Sequence, residues 1–140
     1  MPGLRRIAAP IALIFFVGLI VWLLRDSFDA FVESRSFAAP ITWTLSMTWG
    51  FDFAWSLVLG ALLGAVLRSR SAMVWAAGAG LAYGGFNFAM TQHHFSSALG
   101  WSVYAAIYGQ YAVSCVSAVI GAWIATTALG HDSAKERPAA

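Results

Sequence analysis

The chain has 140 residues, of which 60% are Ala, Val, Ile, Leu, Met, Phe, Trp, Tyr or Cys and only 10% are charged, and its mean hydropathy is +0.73. A soluble domain carries roughly 25% charged residues, so this chain lacks the charge to coat a water-facing surface. The same composition excludes a disordered chain, a collagen-like repeat and a disulfide scaffold, and the single cysteine, Cys115, excludes an intrachain disulfide. The formal charge of +2 does not point to nucleic acid, because the basic residues fall in four small groups between apolar runs: Arg5 and Arg6, Arg25 and Arg35, Arg68 and Arg70, Lys135 and Arg137. None forms the basic stripe that a phosphate backbone needs.

The first apolar run, Ile7 to Leu24, contains 18 uncharged residues behind Arg5 and Arg6. It is longer than the h-region of a signal peptide, about 7–15 residues, and Arg25-Asp26-Ser27-Phe28-Asp29 is no cleavage site. The run therefore reads as a transmembrane helix over 7–24, with Pro10 in its first turn. Residues 25–46 form an outer loop in which Phe28, Phe31 and Val32, at i, i+3 and i+4, suggest a short helix on the membrane surface. Pro40 opens a second run, whose span is expected over 47–67 and is interrupted once, by Asp52. A third span over 72–92 carries no charge. After His93 and His94 and a Ser-rich turn comes a fourth, over 101–129, followed by a mobile cytoplasmic tail over 130–140. About 20 apolar residues cross the roughly 30 Å hydrocarbon core.

The expected architecture is thus an all-α integral membrane protein, a four-transmembrane-helix bundle forming one membrane domain over 1–140. Four spans put both termini on one side, and that side holds six of the eight Lys and Arg residues. The positive-inside rule places it in the cytoplasm, and the expected location is a bacterial inner membrane.

Small residues mark three helix faces. Ser56, Gly60 and Gly64 lie on the second helix. Ala77, Gly80, Gly84, Asn87 and Thr91 lie on the third, and Ser114, Ser117, Gly121 and Ala125 on the fourth. Such faces let helices approach closely in lipid, within one bundle or between copies. Gly84 and Gly85 together also raise the prospect of a kink or a broken helix.

Polar residues concentrate toward one end: Asp52, Asn87, Thr91, Gln92, His93, His94 and Gln110. Asp52 stands 16 helical steps from Arg68, roughly 24 Å, which puts it at or just inside the outer boundary. It is either an outer-end carboxylate reaching the headgroups or a buried group with a partner, for which His93 and His94 are the nearest choices. Adjacent histidines diverge by roughly 100° on a helix and make a poor metal clamp, so no metal site is predicted. Tyr104, Tyr108 and Tyr111 form a stripe on the fourth helix. Of the tryptophans, Trp22, Trp43, Trp49, Trp75 and Trp101 fall near helix ends, as in an aromatic belt, while Trp55 and Trp123 lie deeper.

Two stretches resemble parts of transport families. Gly60 to Arg68 resembles a phrase of small four-span fluoride channels, and Trp49 to Asn87 resembles half of a sulfur-compound permease. The pore motif of the first, built on phenylalanine and threonine, and the path cysteine of the second have no counterpart here. Neither likeness brings a functional residue, and no family is assigned.

Three functions remain in view. The leading expectation is a non-enzymatic membrane subunit that assembles by close helix packing, with copies of itself or with other membrane subunits. The first alternative is a small channel or carrier with Asp52, Asn87 and Gln110 in an outer vestibule and a Gly84-Gly85 break at its base. The second is a quinone- or haem-binding subunit using His93, His94 and the tyrosine stripe; otherwise no cofactor is predicted.

Overall fold

The structure, a computed structural model, describes residues 2–36, 41–91 and 101–135, with the side chains of residues 7–35, 43, 46–85 and 108–130. These residues are all helical apart from one short turn: α1 (Pro2–Ser36), α2 (Ile41–Leu67), α3 (Ser71–Thr91) and α4 (Trp101–Lys135). Three of the helices are long and apolar enough to cross a membrane, with candidate spans at Ile7–Arg35, Ser46–Leu67 and Tyr108–Gly130. α3, at 21 residues, is the shortest of the four.

Several boundaries differ from the sequence reading. Residues 25–36 are not a separate surface helix or loop but the continuation of α1, which runs unbroken for 35 residues. No Gly or Pro occurs between Leu19 and Ser36 to stop it, and Arg25 pairs with Asp29 one turn on, at 3.0 Å. Pro10 therefore lies inside the helix rather than in its first turn. Its missing N–H leaves one carbonyl without its intrahelical donor. α2 begins at Ile41 and α4 continues to Lys135, so part of the expected tail is helical. α3 passes through Gly84 and Gly85 without a break.

The bundle is organised around α4, which lies between α2 and α3. Asp52, Gly60 and Gly64 of α2 meet Gln110, Ala118 and Ala122 of α4, each pair separated by 58 positions. A constant offset means that the two helices run parallel in fixed register. Ser56 and Ser114 occupy the same ladder and are both buried. A Cβ added at Gly64 would stand 2.7 Å from the Ala122 carbonyl, and one at Gly60 would overlap the Ala118 carbonyl outright. On the other side of α4, Gly80 faces the backbone of Ser114 and Cys115, and Gly84 is covered by the Tyr111 ring. Cys115 Sγ donates to the Ala77 carbonyl at 3.3 Å. The described residues of the small-residue faces are thus occupied within the chain, and the core they create is alanine-rich: Ala72, Ala76, Ala118 and Ala122 are fully buried with Leu63.

A tight turn joins α2 to α3. Arg68 adopts the left-handed conformation, φ 46°, and its N–H still donates to the Gly64 carbonyl at 2.9 Å, closing the last turn of α2.

α1 packs against this three-helix core through one stripe, Pro10, Ile14, Val17, Val21, Arg25, Phe28 and Val32, at steps of three or four residues. Its opposite face, including Phe16 and Leu23, is exposed.

A leucine at position 60 should separate α2 from α4, because its Cβ meets backbone rather than a movable side chain. Gly60→Leu is expected to lose several kcal/mol, beyond the about 1–3 kcal/mol typical of overpacking, and to lower the unfolding temperature in mild detergent. Gly78→Leu, where an added Cβ meets nothing within 4 Å, should unfold like the parent.

Candidate functional site

The polar centre of the bundle is built on Asp52. With α2 starting at Ile41, 11 helical residues precede Asp52 and 15 follow, so it stands near the middle of its helix and not at its start. Its side chain is completely enclosed, 0% exposed. An isolated carboxylate in such surroundings would carry a desolvation cost of several kcal/mol, and each of the other three helices supplies a donor that offsets it.

Arg25 of α1 donates from Nη1 to Asp52 Oδ1 at 2.8 Å, and Tyr83 of α3 donates from its hydroxyl to the same oxygen at 3.2 Å. Gln110 of α4 donates from Nε2 to Asp52 Oδ2. The guanidinium is shared: its Nε donates to both carboxylate oxygens of Asp29 at 3.0 Å. Its side chain is 20% exposed, against 53% for Asp29, so the arginine bridges a closed carboxylate and an open one. Phe51 lies under the guanidinium with 5.6 Å from Cζ to the ring centroid, and stacks on Phe28 at 4.5 Å. The stacked rings tie α1 to α2 and set an aromatic face against the guanidinium. Trp49 packs over Gly109 next to Gln110.

Beside this cluster, α1 stands away from the faces of α2 and α3 and leaves a cleft of about 470 Å³. Its walls are Ile14, Val17, Gly18 and Val21 of α1, Trp55 and Leu59 of α2, and Ala79 of α3, with the buried Ser56 among them. Arg25, Trp22 and Tyr83 also line it, so a predominantly apolar space borders two members of the polar cluster. Small-molecule sites have this character: a concave apolar volume of about 300–1,000 Å³ with a few oriented polar groups.

Of the polar residues singled out in the sequence, the structure joins Asp52 and Gln110. The helical backbone includes Asn87 and Thr91, but their side chains are outside the described set, as is that of Tyr104; Gln92, His93 and His94 lie outside the described residues altogether. Tyr111 serves to cover Gly84, and Tyr108 beside it is exposed, ring centroids 6.4 Å apart. Arg25 and Tyr83 were not anticipated. Arg25 looked like a loop charge because the apolar run ends at Leu24, yet the Arg25–Asp29 spacing of four was a visible sign that the helix goes on. Tyr83 carried no signal of its own. Among the described residues no three His, Cys, Asp or Glu side chains gather to hold a metal ion.

Comparison with known proteins finds no family model, no curated protein and no solved structure that matches this chain.

Breaking the ion pair from one side strands a charge. Asp52→Leu should destabilise the protein by about 3 kcal/mol, the lower end of the range for a buried pair, because Arg25 keeps Asp29 and some solvent. The double variant Arg25→Met with Asp52→Leu should recover most of that loss in thermal unfolding. Simple addition of the two single losses would show that the residues are not coupled.

Proposed function

We propose that the protein is a small, non-catalytic membrane carrier that binds a lipid-soluble molecule between α1 and the α2–α3 face. The observation that carries this reading is the apolar cleft ending on Arg25 and Tyr83, two of the three donors that the other helices bring to Asp52, the only fully buried charge of the described core. α1 is the natural moving element. It meets the core through a single stripe, while α2, α3 and α4 are locked by backbone-to-backbone contact at Gly60, Gly64 and Gly80. The Arg25–Asp52 pair then acts as the latch that returns α1 to its place.

Assembly through Gly60, Gly64, Gly80, Gly84, Ser114, Ser117 and Gly121, the leading expectation from the sequence, loses its motive, since these residues are already engaged inside the chain. Contact with copies or with other membrane subunits falls instead to the outward faces of the helices, where Phe16, Val66, Val74 and Trp123 are exposed. A vestibule above a Gly84-Gly85 break is set aside for the same kind of reason, because α3 is continuous there. Neither haem nor metal enters this reading.

Native mass spectrometry of protein released directly from its membrane tests the proposal. The parent should carry an extra small lipophilic mass, and Gly18→Leu, which fills the cleft from a position where an added Cβ meets nothing within 4 Å, should lose it. Identical, ligand-free masses for both would overturn the reading, and the same spectra count the copies per particle.

The topology belongs to the proposal as well: four crossings of a bacterial inner membrane, with both termini in the cytoplasm, on the strength of six basic residues against two. Reporter fusions at residues 1 and 140 should both register cytoplasmic, whereas opposite compartments would require an odd number of crossings.

A further inference from the structure

Building on the carrier reading, we infer that the cleft takes an uncharged, single-tailed lipid whose head carries a carbonyl or hydroxyl oxygen, seated against Arg25 and Tyr83 with its tail running toward Ile14. Charge balance selects the head. Arg25 and Asp52 neutralise each other inside the bundle at 2.8 Å, and the second carboxylate of the group, Asp29, is more than half exposed and screened by solvent. An anionic head would add an uncompensated charge beside a closed carboxylate, and a cationic one would confront the guanidinium. Either would bring a net charge into a predominantly apolar cleft and carry its desolvation cost there.

Hydrogen-bond accounting selects an oxygen acceptor. A guanidinium has five N–H donors and no acceptor. Arg25 directs Nε to Asp29 and Nη1 to Asp52, and among the described residues Nη2 has no hydrogen-bond partner. A neutral oxygen can accept from it without disturbing the ion pair.

The shape selects one tail. Ile14 and Arg25 mark the two ends of the cleft along α1, and 11 helical steps between them span roughly 16 Å. The space between is walled by Val17, Gly18 and Val21, which suits a single alkyl or isoprenoid chain lying along the helix.

Trp22 and Trp55 line the cleft and report its occupancy. Three probes with one tail, 12-bromododecan-1-ol, 12-bromododecanoate and 12-bromododecylamine, are added to the full-length protein in nanodiscs while tryptophan quenching is followed. The alcohol should give a saturable component at least tenfold tighter than the carboxylate or the amine. Gly18→Leu should abolish that component, and Gly78→Leu, placed outside the cleft, should preserve it. If the carboxylate or the amine matches or beats the alcohol, the head-group inference falls while the carrier reading stands. If quenching only rises linearly with probe in every variant, or saturates regardless of Gly18→Leu, the cleft is not the site and both fall.

Discussion

A carboxylate sealed inside an apolar helical bundle is the constraint on which this structure turns. With no water to solvate Asp52, the bundle is stable only if protein groups do so, and they come from Arg25, Tyr83 and Gln110, one on each remaining helix. The ion pair fixes the height of α1 against α2. The glutamine fixes the end of the α2–α4 ladder, and the tyrosine fixes α3 beside them. One anionic side chain thus sets the relative level of four helices that are otherwise greased by alanine and glycine. Small residues supply closeness, but a ladder of near-identical steps would fit almost as well one turn up or down. The polar cluster supplies the position, a role also seen where a single buried polar residue fixes helix register.

That division of labour explains how much could be read from the sequence. The helical class and the apolar runs were legible because hydropathy acts residue by residue and needs no tertiary context. The small-residue faces on α2 and α4 were legible as stripes, since four-residue spacing is a property of one helix. Which stripe meets which was not, because the offset of 58 positions is a relation between two helices. The α4 face toward α2 includes the visible Gly121 and Ala125, which meet Leu57 and Gly64, together with Ala118 and Ala122, which blend into an apolar background.

The site was half legible for a similar reason. Asp52 and Gln110 stand out as polar residues in apolar runs. Arg25 does not, because a charge one position beyond the last apolar residue has the ordinary appearance of a helix-flanking topology signal. The misplaced end of α1 also misplaced its partner: once residues 25–36 are helical, the arginine is carried on a rigid rod and not in a loop. Likewise, the extension of α2 back to Ile41 moves Asp52 from the margin toward the middle of its helix.

The same convergence has a consequence for biogenesis. The four contributors to the cluster are spread over the chain, from position 25 to position 110, so they leave the ribosome at well-separated times. Arg25 emerges first and has Asp29 as a provisional counter-ion within its own helix. Asp52 arrives next and can claim Arg25 at once, joined by Tyr83 when α3 follows, but it lacks its last donor until α4 is made. An assembly intermediate missing α4 therefore holds a partly satisfied carboxylate and the bare glycine seams of α2 and α3. Synthesis of α4 completes both together, so the bundle becomes self-sufficient only once that helix is in place.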